Sequence, residues 1–136
     1  MTDAKLLHVG TTELHAMRLL PGQRHPTWPT DDAGEGNVRV IRWSDDQHAM
    51  MLMSLSMQRE EHAVRVIMGA LYEFPEGATF PRTLEDQELF CREHVEEVTP
   101  FLRQAIYNVS SQVWPVNPIM LDATLEMTMP TGATSN

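Results

Sequence analysis

The chain runs HAMMLMSLSMQ from His48 to Gln58, REE from Arg59 to Glu61, and HAVRVIMGALYEF from His62 to Phe74. In the first run Ala49, Met51, Met53, Leu55 and Met57 fall at every second position, the period of one face of a β-strand. In the last run Val64, Val66, Met68, Ala70, Tyr72 and Phe74 repeat that period. The connection through Arg59-Glu60-Glu61 is too short for a crossover, so the two strands must be antiparallel. Their opposite faces are not uniformly polar: Leu52, Ile67 and Leu71 lie out of register with the clean sets. A sheet with helices on one side leaves its second face wet, so apolar residues there point to self-association or to a partner.

Upstream, Val38 to Trp43 alternates Val38 and Val40 against Arg39, Ile41 and Trp43, and Ser44-Asp45-Asp46-Gln47 supplies a tight turn into the next strand. Before it, Pro21 to Asn37 carries Pro21, Gly22, Pro26, Pro29, Gly34 and Gly36, the composition of a long loop with Trp28 at its middle. Connections in compact domains usually take about 4–6 residues, and much longer ones are often functional. Leu6 to Leu19 is β-leaning through Val9, Thr11, Thr12 and Leu14. Three strands in hairpin succession and a first strand joined by a long crossover are therefore expected.

Downstream, Thr83-Leu84-Glu85-Asp86 has the form of a helix N-cap with an acidic third position. Cys91, Val95, Val98, Leu102, Ala105, Val109 and Val113 then recur at steps of three and four, one stripe of a helix from Leu84 to Val113. Pro100 falls inside the stripe and is expected to kink or interrupt it. Asn117-Pro118 predicts the start of a short helix from Pro118 to about Met127. Residues 128–136 are small and polar, the composition of a flexible tail, which leaves residues 1–127 as one domain. The fold class is α+β: a four-stranded antiparallel sheet layered with one long kinked helix and one short C-terminal helix.

The 136 residues carry a net charge of −9, which repels phosphate backbones and anionic lipid, so nucleic acid and membrane insertion are poor readings. One cysteine, Cys91, makes no internal disulfide. No apolar leader core or spanning stretch is visible, and a cytoplasmic protein is expected. Five of the ten methionines lie between Met50 and Met68, in the strands just described. Methionine suits both a core and an adaptable binding surface; here Met51, Met53 and Met57 belong to the clean face, and Met50 shares the other face with Leu52.

Chemistry is sparse. There is no phosphate loop and no nucleophile elbow. Cys91, His94 and Glu97 are spaced three apart on the helix, where two ligands can share an ion, but zinc needs a closed set of three or four, the rest would have to come from scattered residues such as His8 or His15, and a buried structural thiol fits the stripe better. His62 beside Glu60 and Glu61 reads as a solvated turn, and Glu93, Glu96 and Glu97 as a solvated helix face. No cofactor, metal or catalytic residue is assigned.

The helical third resembles the SecB family of protein-export chaperones. Thr99-Pro100-Phe101-Leu102-Arg103-Gln104-Ala105-Ile106 is similar to the family's first-helix segment, and Asn117-Pro118-Ile119-Met120-Leu121-Asp122-Ala123-Thr124-Leu125 to its second. Pro100, Arg103, Ile106, Pro118, Asp122 and Ala123 are the matching positions, and their role would be structural. The resemblance implies an ATP-independent, non-enzymatic holdase, cytoplasmic and homodimeric or homotetrameric. It would bind unfolded polypeptides in apolar grooves, either preproteins bound for the translocation ATPase SecA or an antitoxin. Groove candidates are Trp28, Trp43, Met50, Leu52, Trp114, Ile119 and Leu121. The rival readings are an adaptor that binds one folded partner through its sheet and, less favoured, a small-ligand or metal-dependent enzyme.

Overall fold

The fold is described from a computed structural model over residues 3–23, 35–43, 45–58, 62–113, 119 and 127–132. Four strands, β1 (Lys5–Arg18), β2 (Glu35–Arg42), β3 (His48–Gln58) and β4 (His62–Glu73), precede one helix, α1 (Leu84–Val113). The sheet order is β1-β4-β3-β2, and every neighbouring pair is antiparallel. The chain therefore crosses from one sheet edge to the other between β1 and β2, then returns strand by strand, as the expected long first crossover and meander require.

The turn before β3 is built by its own side chain. Asp45 Oδ1 accepts from the Gln47 amide at 2.9 Å, the local bond that lets aspartate start a turn. The Trp43 amide donates to the His48 carbonyl at 3.3 Å and closes the hairpin. Register then sets the faces. Val40, Met51, Ala70 and Val9 stand opposite one another in one row, and Val38, Met53, Met68 and Thr11 in the next. Ala49, Met51, Met53, Leu55, Met57, Val64, Val66, Ala70 and Tyr72 are fully buried. Met51, Met53 and Met57 thus belong to the core, and Met127 and Met129 join them.

The helix covers this face. Thr83 caps it: the Asp86 amide donates to Thr83 Oγ1 at 3.1 Å. Phe90, Cys91, His94, Val98, Leu102, Ile106, Val109 and Ser110 are its buried residues, so the stripe is turned slightly from the expected one. His94 sits deeper than Val95 because the aromatic end of β4 receives the helix there. Phe90 packs edge-on to Tyr72, ring centroids 5.3 Å apart, and His94 lies 4.6 Å from both rings. Tyr72 completes the contact by donating its hydroxyl to Glu97 Oε2 at 3.1 Å.

Several expectations are corrected. The helix runs through Pro100 without interruption. Pro100 is exposed, so water can serve the carbonyl that loses its partner there. Beside it Thr99 Oγ1 donates to the Val95 carbonyl at 2.8 Å. His62 is not a solvated turn residue: it opens β4 and is fully buried. The polar tail does not begin at Thr128. The Thr128 amide donates to the Gly36 carbonyl at 2.8 Å and its carbonyl accepts from Val38 at 2.9 Å, a parallel bridge on the β2 edge. Buried Met127 and Met129 flank that bridge, so alternating apolar residues hold a segment whose composition reads as polar. Chain return is fixed at a second point, where Ser110 Oγ accepts from the Ile119 amide at 2.8 Å. The expected helix over Pro118 to Met127, with Pro118, Asp122 and Ala123, lies almost wholly outside the described residues.

Candidate functional site

The face of the sheet turned away from α1 is where apolar side chains remain uncovered. Ile41, Met50 and Leu71 stand opposite one another across three strands, with His8 completing the row. The next row is Arg39, Leu52, Gly69 and Gly10, and the one after it Asn37, Ser54, Ile67 and Glu13. One end of the face is therefore apolar and the other polar, through Ser54, Ser56 and Arg65. Met50, Leu52, Ile67 and Leu71 are each half-buried. Trp43, leaving β2 beside Ile41, is 51% exposed.

Gly69 sets the relief of this face. A Cβ built there would stand 2.8 Å from Met50 Sδ and 3.6 Å from Leu52 Cδ2. Met50 therefore occupies the space that glycine leaves, with Thr12 Cγ2 at 3.3 Å and Leu52 alongside. Methionine over a glycine is an adaptable surface, because its unbranched chain can repack against what arrives.

A charged rail bounds the apolar end. His48 and Glu73 face each other in register, with Lys5 beyond. His48 Nδ1 lies 2.9 Å from Asp45 Oδ1 and its Nε2 lies 3.4 Å from Glu73 Oε2. The hydrogen bond to Asp45 raises the imidazole above its ordinary range, with help from the charges of both carboxylates, and the same bond lowers Asp45. The stabilisation is thus complete below the unfolded histidine value of roughly 6.5 and is lost as pH rises through the higher folded value. Urea titrations of the wild type and His48→Asn at pH 5.5 and pH 8.5 are expected to differ more at the lower pH. An equal difference at both would mean that the imidazolium contributes nothing.

The sequence-derived candidates separate in space. Trp43, Met50 and Leu52 converge on this face. Ile119 is fully buried in the core, which removes it from any surface of the single chain. Trp28, Trp114 and Leu121 lie outside the described residues. Of the motif positions, Ile106 is fully buried, Arg103 is half-buried and Pro100 is exposed. Ile41, Ile67 and Leu71 belong to the face and were not among the groove candidates; the register of three strands, rather than any one of them, brings them beside Met50.

The metal-like spacing on α1 resolves into packing. Burial, and then the Glu88 carboxylate, push the Cys91 thiol up to about 12, which leaves it an unreactive apolar filler. His94 Nδ1 bonds Glu97 Oε1 at 3.2 Å. Among the described residues no three His, Cys, Asp or Glu side chains are placed to hold an ion, and no helix is long and apolar enough to cross a membrane.

No family model matches the sequence, and no curated protein matches it. The coordinates do match a solved structure: the SecB-like chaperone Rv1957 of Mycobacterium tuberculosis, in complex with a ChAD peptide from the Rv1956 HigA1 antitoxin. The TM-score is 0.66 over 88% of each chain at 12% identity. At that identity the likeness shows the fold, and the fold is SecB-like.

Proposed function

We propose that this SecB-like chain is an ATP-independent holdase, binding unfolded polypeptide on the apolar end of its outer sheet face. The observation that carries the reading is that uncovered face: Trp43, Ile41, Met50, Leu52, Ile67 and Leu71 gathered on one side of a sheet whose other side is filled by α1. The structural likeness to a chaperone solved with an antitoxin peptide adds support from the fold.

The mechanism needs no reacting group. Segments of a non-native chain bury apolar side chains against the face, each fully buried one contributing about 1.5–3 kcal/mol before ordering costs. Binding the unfolded chain lowers its free concentration, and aggregation slows by mass action. The net charge of −9 keeps loaded complexes soluble and favours basic clients. In this reading the protein works in the cytoplasm as a homodimer or homotetramer, its client a preprotein passed to SecA or an antitoxin.

The test is light scattering of several unrelated proteins as they are heated or diluted from denaturant. Suppression of all of them near stoichiometric ratio is expected. No suppression at excess sinks the holdase reading, and protection of a single protein in its folded form would instead make the face an adaptor surface.

A further inference from the structure

Alternation along β3 gives two adjacent methionines opposite fates. Met51 points into the core and is fully buried, whereas Met50 lies on the outer face and is half-buried. Around Met50 the sheet is apolar: Ile41 and Leu71 stand opposite it on β2 and β4. Its sulfur rests on bare backbone, since a Cβ at Gly69 would stand 2.8 Å from Met50 Sδ. Glycine there lets the thioether lie low on the sheet, in the middle of the apolar rows.

The other sulfurs are withdrawn. Met53, Met57, Met68, Met127 and Met129 are buried. Cys91 is buried too, and its thiol, pushed up to about 12 by burial and then by the Glu88 carboxylate, stays protonated and inert toward peroxide. Among the described residues that leaves Met50 and Met17, which is 39% exposed. Met17 stands opposite Ala63, beyond the polar end of the face and away from Ile41, Met50 and Leu71.

We propose that Met50 is an oxidation site through which peroxide weakens polypeptide binding on this face. The sulfur lone pair attacks one oxygen of the peroxide. An S–O bond forms, the O–O bond breaks, and the departing hydroxide takes the proton of the transferred oxygen and leaves as water. The thioether is oxidised by two electrons to the sulfoxide, and the peroxide is reduced. The product is polar where the face is apolar. Ile41, Leu52 and Leu71 offer its oxygen no donor, and Thr12 Oγ1 already donates to the Ile67 carbonyl at 3.1 Å. Water satisfies the oxygen on the free face, so a client that buries the site strips that water without replacing it. Methionine sulfoxide reductases restore the thioether, which makes the change reversible. The inference rests on the polypeptide-binding reading and adds a redox control to the same face.

The test treats the folded protein with dilute hydrogen peroxide, removes the excess with catalase, and locates the added oxygen by fragment-ion mass spectrometry. Binding of a labelled, permanently unfolded protein is then followed by anisotropy. Met50 and Met17 are expected to oxidise before Met51, the neighbour of Met50 on the other side of the strand. Binding should weaken about tenfold or more as Met50 converts, and the two sulfoxide reductases, one for each epimer, should restore it. M17L should lose as much on treatment as the wild type. M50L, whatever its own starting affinity, should lose nothing. Undiminished affinity with Met50 oxidised, an equal loss in M50L, or a Met50 that stays reduced while Met17 oxidises overturns the assignment and leaves the polypeptide-binding reading standing. If the untreated protein binds no unfolded polypeptide, that reading fails and the control with it, even where Met50 is the first to oxidise.

Discussion

Leu102→Ala is expected to lower the unfolding free energy by about 2–5 kcal/mol, the range for removing a buried leucine side chain. Leu102 is fully buried at the middle of α1, in the one cluster that joins the helix to the sheet. Truncation removes the transfer energy of three carbons and leaves a hole lined by neighbours that cannot all close on it. Phe101, one residue earlier, is 50% exposed, and Phe101→Ala is expected to change stability by less than about 0.5 kcal/mol in the single chain. Urea titration of the two variants gives the comparison. If Phe101→Ala proves as costly as Leu102→Ala, the outer face of α1 is covered by another subunit, and the concentration dependence of the midpoint will say so.

Replacing both Met50 and Leu71 with threonine is expected to weaken binding of unfolded polypeptide by roughly 10–100-fold, beyond any loss of stability read alongside by urea titration. The two residues stand directly opposite each other on β3 and β4. Both are half-buried, so part of each side chain stays open to a client. Threonine keeps the strand preference and places a hydroxyl where the client would bury a side chain. Ser54→Thr, on the same strand at the polar end, is the control and should leave binding unchanged. Aggregation assays and direct titration with a permanently unfolded protein measure the effect. A variant as active as the wild type removes the outer face from the binding surface.

Much of the fold was legible because each element carries its own period. The alternation from Ala49 to Met57 and from Val64 to Phe74 names the buried face of two strands, since side chains of a strand have two sides to choose from. Thr83 and the stripe through Cys91, Val98, Leu102 and Val109 likewise define α1 at both ends. One histidine was misread for the converse reason. His62 stands next to two glutamates in sequence, but in space it opens a strand buried in the core. His94 carried no such reading beyond a ligand role that was set aside, and the rings of Tyr72 and Phe90 lie beside it. Neighbours along the chain say little about burial when the partner lies on another element.

The candidate site was legible only in part. Trp43, Met50 and Leu52 were identified one strand at a time, and Ile119 with them, although it packs inside. Local pattern shows that a residue is apolar and which of two faces it shares; it does not show whether that face is covered. The same gap hid the anchoring of Met127 to Met129, because two buried methionines and one parallel bridge leave no periodic trace in so short a segment.

From the sequence alone follow the strands, their antiparallel succession, the limits of the helix and the acidic, cysteine-poor character, because each depends on short-range spacing or on sums over residues. Tertiary structure alone decided the rest. Register across β2, β3 and β4 aligned Ile41, Met50 and Leu71 into one apolar row, and Gly69 made room for the Met50 side chain between its neighbours. These are relations between residues far apart in the chain, and only packing determines which of them meet.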